Sequence, residues 1–305
     1  MNILEIKQLS KAFGNKEVLS KLDMVVPEHS IFGFVGQNGA GKTTTMKIIL
    51  GLLKADSGTI TVCGETVTYG DTKTNRHIGY LPDVPEFYSY MNPMEYLQLC
   101  GQITGLSKAA TVSKAHDLLK LVGLDGENRK IGAFSRGMKQ RLGIAQALLN
   151  EPQLLICDEP TSALDPIGRK EILDILLTIK GKTTVVFSTH ILSDVERVCD
   201  NLAILHQGKL ALHGTLAELK KNYSSNAFMI EFSNEKELNN FLTSTHLKEN
   251  GVTLMKDRNT ITVTLQDQNK NGAFLIDILA QNNLVPVKFE KLEPSLENLY
   301  AEVVQ

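Results

Sequence analysis

The chain contains no apolar run of the roughly 20 residues that a membrane-crossing helix needs. Its densest apolar stretch, Ile48-Ile49-Leu50-Gly51-Leu52-Leu53, is soon followed by Lys54 and Asp56. The first apolar stretch is broken by Glu5 and Lys7, so the uninterrupted segment of a secretory leader is missing too. Neither sign of charge is in excess: 32 basic and 34 acidic side chains leave a formal charge of -2. That total supplies no net positive field toward nucleic-acid phosphates or anionic lipid, and no nucleic-acid partner is expected. Cysteine is sparse, and Cys63, Cys100, Cys157 and Cys199 stand too far apart for a C-x-x-C metal or redox motif. Reduced, mostly buried thiols in a soluble cytoplasmic protein are the expectation.

What remains is ordinary globular composition, 42% hydrophobic and 22% charged. A length of 305 residues allows one large core with a second, smaller unit beside it. From Ile3 to about His213, short apolar runs alternate with helical periodicities, the pattern of an α/β sheet flanked by helices. Strands are predicted at Ile31 to Val35, Ile60 to Val62, Leu154 to Cys157, Thr184 to Phe187 and Leu202 to Leu205. Helices are predicted at Lys42 to Leu53, Pro93 to Gly105, Lys108 to Val122, Gly137 to Asn150 and Pro166 to Lys180. Three consecutive helices between Pro93 and Asn150 read as a helical insertion, a subdomain of about residues 85–150. The polar stretch Lys220 to Asn226 reads as a linker and divides the chain into 1–222 and 223–305. Beyond it the order strand 227–232, helix 235–243, strands 252–256 and 260–265, helix 271–282, strand 284–290 and helix 295–303 fits a small α+β, ferredoxin-like unit.

The sharpest chemical signal is Gly36-Gln37-Asn38-Gly39-Ala40-Gly41-Lys42-Thr43, placed between a predicted strand and a predicted helix. That is the context a phosphate-binding Walker A loop requires. Its glycines let backbone N–H groups converge on phosphate oxygens, and the helix that begins near Lys42 aims its positive dipole end at the same charges. Lys42 is expected to reach the β- and γ-phosphates and the Thr43 hydroxyl to coordinate Mg²⁺, with Thr44 beside it. The loop alone leaves kinase, GTPase and transport ATPase open.

A second signal is Leu154-Leu155-Ile156-Cys157-Asp158-Glu159-Pro160, an apolar strand that ends in two carboxylates where open α/β sheets bind ligands. Asp158 is expected to hold Mg²⁺, directly or through water, and Glu159 to orient or deprotonate the attacking water. Asp165-Pro166 reads as a helix N-cap followed by proline at the first helical position, which is a sufficient structural role for Asp165.

The segment Phe134-Ser135-Arg136-Gly137-Met138-Lys139-Gln140-Arg141-Leu142 resembles the signature motif of ATP-binding-cassette (ABC) ATPases, usually Leu-Ser-Gly-Gly-Gln. The resemblance covers about residues 4 to 220, in order: aromatic Phe13, Walker A, Asp83 at the Q-loop position, the signature, Walker B, Ser162-Ala163-Leu164-Asp165 as D-loop and His190 as switch histidine. Thr189 to Glu196 and Glu293-Pro294-Ser295-Leu296-Glu297 further resemble the drug-resistance and bacitracin-export branch. The resemblance implies a P-loop ABC cassette, with a mixed sheet and a helical subdomain, that hydrolyses ATP with Mg²⁺ to power an exporter. Its implied partners are a membrane-spanning transporter subunit and a second ATPase copy, with the assembled chain peripheral at the inner face of the membrane.

By the same resemblance two such domains close head to tail, so that Ser135 and Gly137 of one chain meet the ATP bound to the other's Walker A, and Asp165 lies at the interface. Ser135 also suffices as a helix N-cap, and both roles are compatible. His190 is implied to fix Glu159 and the water, and Phe13 either stacks on adenine or simply packs. Several positions depart from the pattern: Met138 stands where the signature usually has a glutamine, so that amide's polar contacts are lost. Asp83 stands where many members carry a glutamine, and acts through water or the metal or is a turn residue between Pro82 and Pro85. Arg136 replaces a glycine, and either meets the partner's nucleotide or faces solvent. Two other functions stay open: a soluble regulatory or translation-linked ABC ATPase, and a nucleotide-gated module without turnover.

Overall fold

A computed structural model describes the chain except residues 72, 223–225, 244–246, 248–250, 266–271, 293–295 and 305. The linker residues Tyr223 to Ser225 and the segment Glu293 to Ser295 therefore lie outside the described residues. The chain divides into two units, one built on Met1–Leu216 and one on Ala217–Glu302.

The first unit opens with β1 (Asn2–Phe13), β2 (Lys16–Pro27), β3 (Ile31–Val35), α1 (Lys42–Ile49), β4 (Ser57–Val62), β5 (Glu65–Thr66) and β6 (Ile78–Leu81). It continues through α2 (Pro93–Ile103), α3 (Lys108–Leu121), α4 (Arg136–Leu148), β7 (Leu154–Asp158), α5 (Pro166–Ile179), β8 (Thr184–Thr189), α6 (Leu192–Val198), β9 (Asn201–His206) and β10 (Lys209–Thr215). Six strands form a mixed sheet in the order β10-β9-β3-β8-β7-β6, with β9, β3, β8, β7 and β6 parallel and β10 antiparallel at the edge. β3, β7 and β8 are buried along their whole length, as parallel strands covered on both faces must be. A second, antiparallel sheet has the order β2-β1-β4-β5. One core lies between them, with Leu4, Ile6 and Met24 from the antiparallel sheet meeting Phe32, Phe34 and Ile156 from the mixed one.

The long β1–β2 hairpin was not foreseen in the sequence, and its register explains why. Pairing shifts between Ile6 and Leu9, and Gln8 takes a positive φ of 51°. Each bulge resets the two-residue alternation from which a strand is recognised. Another correction concerns α1, which stops at Ile49 and not Leu53: Gly51 turns into the left-handed region at φ 69° and Leu52 N–H donates to the Lys47 carbonyl at 2.9 Å. The insertion is helical as expected, with no strand between α2 and α4. Asn92 and Glu95 form a reciprocal capping box at the start of α2, each side chain bonding the other's backbone N–H.

The second unit carries α7 (Leu216–Asn222), β11 (Asn226–Glu231), α8 (Glu235–Leu242), β12 (Val252–Asp257), β13 (Thr260–Leu265), α9 (Ala273–Gln281), β14 (Lys288–Leu292) and α10 (Leu296–Val304). Lys220 to Asn222, read as linker, are the last turn of α7. The sheet order β12-β13-β11-β14, antiparallel throughout, is that of a β-α-β-β-α-β unit. Phe228, Ile230, Ile261 and Val263 from the sheet pack with Leu238, Phe241, Leu275 and Ile278 from the helices.

Candidate active site

The neighbouring strands β3, β8 and β7 deliver their C-terminal ends to one edge of the mixed sheet, the edge at which such sheets bind ligands. From Val35 the chain turns through Gly36 to Gly41 into α1. Gly41 holds φ 113°, which side chains rarely adopt, and a β-carbon there would lie 2.7 Å from Leu19 Cδ2. At Gly36 a β-carbon would sit 2.6 Å from the Leu205 carbonyl oxygen. The loop is thus pressed onto β2 and β9, and only glycine fits where it touches them.

Lys42 opens α1 with a side chain only 6% exposed. Its Nζ donates to the Gly36 carbonyl at 2.7 Å and the Gln37 carbonyl at 3.3 Å. The same ammonium pairs with Glu159 Oε1 at 3.0 Å, and since that buried oxygen accepts no well-directed hydrogen bond, the contact is ionic. Glu159 follows β7 with φ 48°, a conformation that costs a residue with a side chain on the order of 1–3 kcal/mol. Its surroundings over-determine that position. Its N–H donates to Ser188 Oγ at 3.0 Å, its carbonyl accepts from Ser162 N–H at 3.0 Å, and its Oε2 lies 2.9 Å from His190 Nδ1. The Ser188 hydroxyl donates in turn to Asp158 Oδ1 at 2.6 Å, so one side chain from β8 fixes both carboxylate residues.

Behind this row, Asp194 of α6 is almost fully buried and accepts from the Thr161 hydroxyl and from Arg169 of α5, each at 2.7 Å. The turn after the carboxylate pair is thereby tied to α6, and α6 to α5.

These residues border a cleft of about 350 Å³. Of the sequence-predicted residues it brings together Asn38, Gly39, Gly41, Lys42, Thr43, Thr44, Asp83, Asp158, Glu159 and His190. Val18 and Ser162 line it as well. Sequence reasoning passed over Val18 and Ser188; the signal for the latter was a hydroxyl directly after the apolar run Val185-Val186-Phe187. Gly36, Gln37 and Ala40 belong to the loop without lining the cleft. Phe13 lies outside it, at the end of β1, half exposed, with Lys11 Nζ 5.3 Å from its ring centre. Ser135 and Asp165 also lie outside it and cap helices: Ser135 Oγ accepts from Met138 N–H at 3.2 Å and Asp165 Oδ1 from Gly168 N–H at 2.9 Å. Next to Ser135 the backbone of Gly137 is open, with only Leu164 within 4 Å of a notional β-carbon.

Asp83 and Arg136 meet: Arg136 Nη2 donates to Asp83 Oδ1 at 3.0 Å. Burial raises the pKa of the Asp83 carboxyl above its ordinary value, Arg136 lowers it, and Asp158 and Glu159 raise it again. Among the described residues no group of three or more His, Cys, Asp or Glu is placed to hold a metal by itself. No helix among them is long and apolar enough to cross a membrane.

The arrangement of loop lysine, paired carboxylates and histidine around one cleft is that of a P-loop ATPase, and comparison with known proteins agrees. Residues 19–162 match the family model described as ABC transporter, and residues 214–304 match that of the ATP-binding protein DrrA1-3-like C-terminal domain. The chain is 39% identical over 303 residues to the uncharacterized ABC transporter ATP-binding protein YxlF of Bacillus subtilis, covering 99% of each chain. It is 41% identical over 222 residues, 72% of each chain, to the bacitracin transport ATP-binding protein BcrA of Bacillus licheniformis. A solved structure of an ATP-binding subunit of an ABC transporter superposes with a TM-score of 0.66 at 35% identity, over 73% of this chain and 93% of the other. The chain belongs to the ABC transporter ATP-binding proteins. It is an ATP-binding, ATP-hydrolysing transporter subunit, and subunits of this kind pair with membrane-spanning ones. A regulatory or translation-linked role without a transporter finds no support among these relatives.

Proposed function

We propose that Lys42, Glu159 and His190 carry out ATP hydrolysis in this cleft and that the chain works as one of two copies beneath a membrane-spanning exporter subunit. The observation that carries this reading is Glu159, held between Lys42 at 3.0 Å and His190 at 2.9 Å in a strained backbone conformation at the end of β7. A carboxylate so fixed is suited to orient a water against a γ-phosphate and take its proton. Lys42 sits at the base of the loop whose N–H groups receive the phosphates, and on ATP binding its ammonium exchanges the Glu159 carboxylate for phosphate oxygens. The released Glu159 stays bonded to His190, which keeps it facing the cleft.

The donors fit magnesium. The Thr43 hydroxyl and the carboxylates of Asp158 and Asp83 line the same cleft, and all are oxygens. Protein groups insufficient to hold a metal alone suit an ion that arrives with the nucleotide, since Mg²⁺ uses one or two carboxylates and takes its other ligands from phosphates and water. Thr43, Asp158 and Asp83 would hold the ion, and its charge would neutralise that of the phosphates.

Ser135 and Gly137, away from the chain's own cleft at the start of α4, suit a role at a second copy's nucleotide, with Asp165 at the same interface and Phe13 stacking on the adenine. The exposed side chains of Val84, Tyr88 and Tyr90, next to a shallow depression lined by Pro85, Phe87, Ile131 and Lys139, suit docking of the membrane subunit. On this reading the chain works in the cytoplasm at the inner face of the membrane. The domains proposed are the cassette, 1–222, with its helical subdomain at about 85–150, and an accessory domain, 223–305. Export over import is proposed from the resemblance of Thr189 to Glu196 to the drug-resistance and bacitracin-export branch, beside relatives named for bacitracin transport.

Glu159→Gln tests the assignment: ATP turnover falls by about 10²–10⁴ while Mg-ATP still binds and accumulates in a closed dimer. A variant hydrolysing at the parental rate removes Glu159 from the mechanism.

A further inference from the structure

Asp83 and Arg136 are two of the positions at which the sequence departs from its family's motifs, and they are in contact although 53 residues apart. Arg136 is the first residue of α4, and Gln140, four residues on, shares its face of the helix. Both reach Asp83. Arg136 holds its carboxylate at 3.0 Å, and the fully buried Gln140 donates its Nε2 to the Asp83 carbonyl at 2.6 Å. Asp83 itself lines the nucleotide cleft beside Asp158 and Glu159.

We propose that Arg136 is a positioning residue for the nucleotide cleft: its guanidinium holds the Asp83 carboxylate at the cleft's rim, while Gln140 fixes the backbone of the same residue. This rests on the reading of the cleft as an Mg-ATP site. Three carboxylates in one cleft repel one another, and Asp83, half exposed, is free to turn to solvent. Gln140 grips only the main chain, so the direction of the carboxylate is decided by Arg136. With the guanidinium in place, an oxygen stands ready for a metal-bound water; without it, the carboxylate relaxes away from Asp158 and Glu159. Because the ion pair is itself 41% and 48% exposed, it yields readily. Any shift of the first turn of α4 then moves an acid of the ATP site. The two departures thus form one device, in which the arginine of the signature places the acid of the Q-loop position.

The test uses the full chain with Arg136→Gln, Arg136→Lys, Asp83→Asn and the Gln/Asn double variant. Binding of a fluorescent ATP analogue is titrated with Mg²⁺ and, separately, in EDTA. Arg136→Gln is expected to weaken Mg-nucleotide binding about tenfold and leave metal-free binding in place, as loss of an outer-shell partner does. Asp83→Asn should lose the same amount, the double variant no more than either, and Arg136→Lys should recover most of the loss. Parental Mg-nucleotide affinity in Arg136→Gln overturns the proposal. So do losses that multiply in the double variant, or an equal drop with and without Mg²⁺, which marks a merely structural arginine. A parental chain showing no Mg²⁺-dependent nucleotide binding refutes instead the functional reading beneath it.

Discussion

The two units of this chain have differently made interiors. Every buried polar or charged side chain among the described residues belongs to the first: Lys42, Gln140, Asp158, Thr161, Ser188 and Asp194 stand among them. The core of the second is built of Phe, Leu, Ile and Val alone. A buried polar group costs free energy unless it is partnered, so a fold keeps one where its partner is fixed or where a ligand supplies one. In the first unit the partnered groups form two sets: Ser188 with Asp158 and the Glu159 N–H at the strand ends that face the cleft, and Asp194 of α6 with Thr161 and Arg169 beside the turn that follows. In the second, apolar packing accounts for the whole interior. Buried polar groups are kept to the first unit, which also has an apolar core of its own.

That contrast can be broken by substitutions placed in each unit. The largest effect on activity is expected from Glu159→Gln, whose rate loss of about 10²–10⁴ corresponds to about 3–5 kcal/mol at the transition state, with the folded state intact. Phe241→Ala, in the apolar core of the second unit, should cost about 3–5 kcal/mol of that unit's unfolding free energy and leave ATP affinity within about twofold. Urea denaturation followed beside nucleotide binding separates the two; a loss of ATP affinity comparable to the loss of stability would erase the distinction between the units. Arg169→Met removes one of the two partners of buried Asp194, and a destabilisation of about 2–3 kcal/mol is expected, short of the full penalty because Arg169 is partly exposed. Thermal unfolding with and without ATP checks it, and the variant should also slow turnover through the loosened Thr161 turn.

The smallest effect concerns the thiols. Burial raises the pKa of all four, most strongly for Cys157 and Cys199, whereas Cys63 and Cys100 retain some solvent access. A thiol reagent at neutral pH should label Cys63 and Cys100 first and Cys157 and Cys199 only on unfolding. Since the thiolate is the reacting form and these pKa values lie above the ordinary thiol value, labelling of the first two should quicken as pH rises through 8 and beyond, by about tenfold per unit until the raised pKa is reached. Equal rates for all four would show that Cys157 is not sealed within β7.

Much of the site was legible in the sequence because it is local. A strand, six loop residues and a helix place Gly36 to Thr43 within one contiguous segment, and an apolar run ending in two acids announces Asp158 and Glu159. The bulged hairpin β1–β2 was illegible for the reason that register shifts erase alternation. Likewise the four strands of the second unit were readable in order, apart from β14, which begins at Lys288 where 284 was expected: Leu284 is buried, but Val285 and Val287 are exposed and outside any strand.

What the sequence determined by itself is the chemistry available: a phosphate loop whose glycines fit only glycine, a lysine, two acids at a strand end and a histidine, with a family pattern that names the substrate as ATP. Tertiary structure alone decided how these groups are held. Ser188 lies 30 residues from the Asp158 it fixes, and Arg136 lies 53 from Asp83. Spacing along the chain carries no signal for such pairs, because parallel strands and an inserted helical segment bring them together only after the sheet has closed. Asp83 and Arg136, each read separately as a departure from pattern, are one ion pair in the fold.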